Sequence, residues 1–532
     1  MNMSKAELIQ YFGIFSPPRT YEEDLVPIRR DPAATVAFMR LLHAETSLGR
    51  EDGMFYAFSD RVATVLSERN LGIGTWKKFV QAGVIDLCLD IIMREDFWRG
   101  PFLFCNATIV GTSAVVRLAH QSKDPAAMSA LLSRMSSLWR SIWERRAQWK
   151  SLRSHLDMQD NLPEPILELF CEYISLHFTK DKRPPSYETY IAHIGLHAWV
   201  VYGQQKTTLG IPEALSCLVY FEPRQALQVV IDSSPSEAEA DALALRIAQE
   251  FSRVQNADML LPCASVHFTL SKFAGIVPYY GTHALITEAS SMLGRISVSV
   301  SRGVMDGYYT SFPVVLAYVE QYTQAAKRML LNDSSSPLGM RGEDLVNIFG
   351  AGICFLALDA GVSVPAGHSC VGADTSLCDK AGASLRVWTR FYSEEHKSND
   401  FANQGSHSSR ARVFCSDMRS RARAIWWPSL HQMQTAVARA GHSAKPELKN
   451  VVGDWAALGK ALGLDAVKER ARFEREARSR CAWRDCRYYH EKPDEVALLV
   501  CKRCGEARYC GRECQRSDWS KGNHKARCRR LM

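Results

Sequence analysis

From the first residues to about position 440 the apolar side chains recur at helical spacing, and strand-like alternation is scarce. Asp31-Pro32, Asp124-Pro125 and Ser234-Pro235 each set a capping side chain before a proline suited to the first helical position, ahead of an apolar-periodic run. Each predicts a helix start. The stretch Thr75 to Arg94, TWKKFVQAGVIDLCLDIIMR, predicts a short helix, an Ala-Gly break and a second helix too apolar to lie on a surface. ILELFCEYISLHF and YIAHIGLHAWVVY are similarly rich in apolar positions. Helices of this kind need helical neighbours on several sides, so the expected fold class is mainly α, with a large helical body.

Within that body FVQAGVIDLCLDII resembles the turn and inner helix of armadillo-like repeats, which implies a stacked right-handed array. No fixed period of about 40 residues recurs, as a regular array requires, so an irregular helical domain stays open beside it. Two stretches look like breaks. Asp333 to Gly342, DSSSPLGMRG, is a run of turn formers, and Glu394 to Ser409 is polar with hardly an apolar residue, the composition of a linker. The expected organisation is a helical body over 1–393, a linker over 394–409, a basic helical segment over 410–480 and a separate tail over 481–532. In the third of these, Lys468 to Arg480 alternates basic and acidic side chains around Phe473, as a solvated spacer helix does.

A length of 532 residues is about three to four times that of a typical domain, so several folding units are expected. With 46% hydrophobic and 23% charged residues the composition is that of an ordinary globular protein. The opening MNMSKAELIQYFGIF lacks a basic leader and a long apolar run, and no window reaches the ~18 unbroken apolar residues of a spanning helix. The expectation is an intracellular protein of the nucleus or cytoplasm, outside the membrane.

Seven of the 16 cysteines fall in the last 52 residues, and 13 Lys+Arg against 7 Asp+Glu give that tail a formal +6 of the total +8. Without an export signal the thiols stay reduced, which makes metal ligation the better reading of a dense cysteine cluster. The series is Cys481-x4-Cys486-x14-Cys501-x2-Cys504-x5-Cys510-x3-Cys514-x9-His524-x3-Cys528. Zinc takes four thiolate or imidazole ligands at about 2.0–2.3 Å, and ligands two to four residues apart can turn back onto one ion. Eight candidates in four such pairs make two closed tetrahedral sites, structural rather than catalytic because no position is left for water or substrate. A unit this small buries little beyond Val500, Tyr509 and Trp519, so the two zinc ions should supply most of its folding free energy.

RYCGRECQRSDW followed by HKARC closely resembles the MYND-type zinc finger family over Cys481 to Cys528. The resemblance implies interleaved sites: Cys481 and Cys486 with Cys510 and Cys514 at one zinc, Cys501 and Cys504 with His524 and Cys528 at the other. The first pair is separated by four residues where the family usually has two, and the gap from Cys514 to His524 is longer than usual, so His490 is an alternative ligand should Cys481 not reach the metal. The resemblance also implies a peptide site, in which Gln515 and Trp519, four residues apart on a short helix, and backbone near Lys502 take up an extended proline-containing peptide. The other reading of Trp519 is a core aromatic of the module.

The implied partner is therefore a protein. Nucleic acid is the rival given the basic tail, but seven bound thiolates and two zinc ions reduce the formal +6 to about +3, and no recognition helix of known docking type is present. It remains as an alternative role, a chromatin or transcription regulator with accessory nucleic-acid contacts. A SET-type methyltransferase requires catalytic sequence after the last zinc ligand, where only Arg529 to Met532 follow. Gly367-His368-Ser369-Cys370 lacks the asparagine of the SET motif, and Gly367 and Gly372 are one residue too far apart for a nucleophile elbow. His193 and His197 stand at i and i+4, but Ile194 occupies the place of a zinc protease's glutamate, so both read as packed core histidines. Cys88, Cys171 and Cys354 read as small buried hydrophobes. No enzyme is expected.

Overall fold

The computed structural model describes residues 3–13, 20–45, 53–68, 71–149, 163–181, 185, 189–202, 237–255, 259–260, 264–301, 308–332, 334–359, 375–400, 409–441, 444–483, 486–490, 496–521 and 524–528. The fold is mainly helical and divides into two compact units, Met1–Pro235 and Ser236–Met532.

Among the described residues of the first unit the α-helices are α1 (Lys5–Phe12), α2 (Tyr21–Arg30), α3 (Pro32–Glu45), α4 (Gly53–Ser67), α5 (Ile73–Gln81), α6 (Val84–Met93), α7 (Phe102–Ser122), α8 (Pro125–Glu144), α9 (Arg146–Trp149), α10 (Pro163–Asp181) and α11 (Ile191–Tyr202). Two of the three expected starts are present: Asp31 Oδ1 accepts from the amide of Ala34 at 2.9 Å, and Asp124 Oδ1 from Ala126 and Ala127 at 3.0 and 3.2 Å. Ser234-Pro235 lies outside the described residues. The Ala-Gly break separates α5 from α6, the pair behind the armadillo-like resemblance, and Gly83 there has φ +83°, a conformation that β-carbon-bearing residues resist.

Helix α7 is the core of this unit, packed by α4, α6 and α10. By length and composition it is also apolar enough to cross a bilayer, and 67% of its most apolar stretch is buried inside the fold. His193, fully buried on α11, sets its ring 4.9 Å from that of Trp143 on α8, and His197 lies 6.1 Å from the same indole. Both histidines are packed against an aromatic, as expected.

The second unit runs through α12 (Glu237–Arg253), α13 (Ala264–Leu270), α14 (Leu285–Ser301), α15 (Tyr308–Leu331), α16 (Gly342–Asp359), α17 (Thr375–Asp400), α18 (Ser409–Ala440), α19 (Pro446–Ala461) and α20 (Ala466–Ala477) to the cysteine-rich tail. The expected loop of turn formers joins α15 to α16. The expected linker is different: Glu394 to Asp400 complete α17, with Glu395 buried, and positions 401–408 lie outside the described residues. Nor does this segment part a body from a basic segment, because α18 packs along α16 and α19 along α17. The arginine-rich α18 stays with the body by burying a stripe of Ala411, Phe414, Met418, Ala422 and Trp426 beneath its charged face.

Trp426 and Trp455 lock α18 to α19. The indole N–H of Trp426 donates to the carbonyl of Trp455 at 2.8 Å, and that of Trp455 donates to Ser429 Oγ at 3.1 Å and to the carbonyl of Trp426 at 3.3 Å. Gly459 allows this approach, since a β-carbon there would stand 2.0 Å from the Trp426 ring. Helix α20 packs on α18 and anchors through Arg472, whose guanidinium reaches the carbonyl of Arg423, so it is docked as well as solvated. Burial pushes the thiols of Cys88 and Cys354 up to about 12, so neither is a nucleophile near neutral pH.

Candidate metal centres

The tail is built of short pieces held by backbone hydrogen bonds: α21 (Arg487–His490), β1 (Leu499–Val500), β2 (Arg508–Tyr509), α22 (Arg512–Ser520) and α23 (His524–Arg527). Strands β1 and β2 pair antiparallel, with Leu499 opposite Tyr509 and Val500 opposite Arg508. The turn between them starts at Cys501, whose carbonyl accepts from Gly505 at 2.8 Å, and Gly505 takes φ +67° to close it. That turn directs Cys501 and Cys504 to the same side. The amide of Ala482 donates to the carbonyl of Arg508, and that of Cys481 to the carbonyl of Tyr488, which fastens the first cysteine pair onto the hairpin. Helix α22 begins at Arg512, two residues after Cys510, so its first turn carries Cys514 back toward that residue.

The result is two tetrads. Cys481, Cys486, Cys510 and Cys514 form one, Cys501, Cys504, His524 and Cys528 the other, and within each the ligand atoms all lie within 4.8 Å of one another. This is the interleaved order: each centre draws one pair from the N-terminal half of the tail and one from the C-terminal half. Cys481 reaches the first tetrad despite its wide spacing from Cys486; the side chain of His490 lies outside the described residues.

The donor chemistry fits zinc. Two ligands of a tetrahedral zinc stand about 3.8 Å apart for two sulfurs and about 3.6 Å for sulfur and nitrogen. Cys486 and Cys514 each lie 3.4 Å from Cys510, Cys501 lies 4.0 Å from Cys528, and Cys504 Sγ lies 3.8 Å from His524 Nε2. The electrostatics point the same way. Burial opposes ionisation of Cys501, yet hydrogen bonds from His524, the amides of Cys504 and Arg503, and the Cys504 thiol bring it down to about 6. Burial and the neighbouring sulfurs push Cys510 and Cys528 up to about 11. In each tetrad, then, one thiolate is favoured and further ones are opposed by the charge already present. A dication at the centre removes that conflict.

The core beneath the centres differs from expectation. Val500 is 43% exposed and Trp519 half-buried, while Trp483 and Tyr509 are buried with Cys481, Cys501 and Cys504. Val500 lies on a two-stranded hairpin with no layer over it. Trp483 sits inside the wide first pair, where its carbonyl accepts from the amide of Cys486 at 3.0 Å and its indole joins the core. The tail has a second buried anchor: Tyr509 donates its hydroxyl to Asp518 Oδ2 at 2.8 Å, tying β2 to α22 with both groups out of solvent.

The His524 ring stands edge-on between two others, 5.9 Å from Tyr509 and 5.8 Å from Trp519. Gln515 and Trp519 share the outward stripe of α22, both half-buried. Lys502 is exposed on the Cys501–Cys504 turn, and its neighbour Arg503 sets its guanidinium 5.7 Å from the Trp519 ring centre, so the turn and the helix border one surface.

Gly367 to Gly372 lie outside the described residues. In the first unit a cleft of about 520 Å³ is lined by Leu66, Ser67, Glu68, Arg117, Leu118 and Gln121. Its charged groups are engaged, Glu68 with Arg29 and Arg117 with Glu168 and Glu172. No curated protein matches the chain. Residues 481–528 match the MYND finger family, over the span that holds both tetrads. The second unit thus ends in a MYND finger, with two four-ligand sites of a kind that suits zinc.

Proposed function

We propose that the protein is a non-enzymatic adaptor of the nucleus or cytoplasm, whose finger, folded around two structural zinc ions, captures an extended proline-containing segment of a partner protein. Fingers of this family serve protein–protein interaction in general. The observation that carries the narrower reading is Trp519: its ring meets that of the ligand His524 at 5.8 Å and an interplanar angle of 61°, while the indole stays half-exposed beside Gln515 on α22. An aromatic fixed by a metal ligand and flanked by an amide suits a polyproline II segment, which is stiff before it binds. The thiol tetrads accord with a reducing compartment.

The test is capture of labelled proline-containing peptides by the full chain and by its Trp519→Ala and Gln515→Ala variants, with zinc measured in each sample. Loss of capture at an unchanged two zincs per chain supports the peptide site. Zinc lost from Trp519→Ala, with capture intact in Gln515→Ala, would make Trp519 a structural prop of His524. A second reading rests on α18, where exposed Arg412, Arg419 and Arg423 fall on one stripe. A steep salt dependence of duplex DNA binding, removed by mutating these arginines, would favour a nucleic-acid contact there.

A further inference from the structure

The surface around Trp519 is mainly basic. On α22, Arg512 and Arg516 lie seven and three residues before Trp519, which at 100° per residue puts both within about 60° of it on the outward face. From the Cys501–Cys504 turn, Arg503 sets its guanidinium over the indole, 5.7 Å from the ring centre. All three are exposed, and none has an ion-pair partner among the described residues. Two exposed acids lie nearby, Glu506 three residues after Arg503 and Glu513 three residues before Arg516, but neither forms an ion pair with these arginines among the described residues, and Asp518 is buried with Tyr509.

We infer that the finger selects acidic partners, specifically a segment carrying a carboxylate about three residues from the proline that packs on Trp519. This rests on the peptide reading above and adds its charge and register. The spacing follows from geometry. Arg512 stands seven residues, or about 10.5 Å, along the helix from Trp519, and an extended peptide covers that distance in about three residues at 3.1–3.4 Å each. Arg503, beside the indole, adds positive charge where the proline would pack. A single-stranded nucleic acid could also use an indole ringed by arginines, but it needs a groove of cations that tracks successive phosphates. Here the cations surround one aromatic.

The experiment is fluorescence anisotropy on the zinc-loaded full chain, with labelled peptides of one Pro-Ala-Pro-Ala-Pro core. Glu, Ser or Lys is placed three residues outside the core on either side, and a further Glu peptide carries its acid six residues away. The expected result is tighter binding of the three-residue Glu peptide than of the Ser peptide by about five- to tenfold, since exposed ion pairs each contribute modestly. Moving the acid to six residues should remove most of the gain. Arg512→Glu should reverse the preference toward the Lys peptide, and Arg512→Gln should abolish it, both at two zincs per chain. Equal affinity for Glu, Ser and Lys peptides would overturn the inference while leaving proline recognition standing. Absence of binding to every peptide would remove both. Displacement of the Glu peptide by an equimolar oligo-dT would reassign the surface to nucleic acid.

Discussion

Replacing Tyr509 by Phe deletes one oxygen and little volume, so its effect isolates the hydrogen bond to Asp518. That bond is 2.8 Å long, with Tyr509 fully buried and Asp518 3% exposed. Burial, and after it the Asp518 carboxylate, raise the phenol's pKa, so the donor keeps its proton throughout the workable pH range. A hydrogen bond to a charged partner contributes about 1.5–3 kcal/mol, and a carboxylate left short of a donor in the interior adds to the loss. The finger's core is so small that folding and metal binding form one equilibrium. The loss is therefore read as a weaker combined constant for the two zinc ions, by roughly 10- to 150-fold at about 1.4 kcal/mol per decade. The assay is competition for zinc by a chromogenic chelator on the full chain, which is blind to the tryptophans of the helical body. Val500→Thr, at a 43% exposed position, is the control and should stay within about 0.5 kcal/mol of wild type. Tyr509→Phe indistinguishable from that control would refute the role given to the Tyr509–Asp518 anchor.

Zinc uptake should release protons at neutral pH, because Cys510 and Cys528, held up at about 11, must lose theirs to bind, while Cys501, held down at about 6, has already done so. Apparent affinity should accordingly fall as pH falls; calorimetry in buffers of different ionisation enthalpy would expose a missing or opposite proton flux. Gly459→Ala should cost about 1–3 kcal/mol through collision with the locked Trp426 ring. In thermal unfolding that is a drop of about 2–4 °C per kcal/mol for a unit of this size, with zinc content unchanged. Cys510→Ser should release the ion of its own tetrad more readily than the one held by His524, and equal loss of both in elemental analysis would show that the two centres cannot be separated.

The metal sites were the most legible part of the sequence, because ligation restricts both residue type and spacing and so leaves a signal that survives without a fold. Helix starts at Asp31 and Asp124 were legible for a similar reason, a capping oxygen before a proline. Features that depend on distant partners were hidden. Asp518 looks like any surface acid until β2 brings Tyr509 to it, and the reciprocal Trp426–Trp455 hydrogen bonds join residues 29 apart in sequence. Trp483 was concealed by the wide cysteine spacing that places it, and Val500 misled because a β-branched residue on a strand is usually covered by a second layer. Glu394 to Asp400 read as linker since composition alone does not separate a polar loop from the solvated end of a helix; the burial of Glu395 needs the packed fold.

Peptide capture by the finger depends on two closed metal centres. Elemental analysis of the full-length protein, purified without added metal, measures them. Two zinc ions per chain, both removed by chelator together with the loss of peptide capture, is the expected result. One ion per chain, or capture that survives complete removal of zinc, would contradict it.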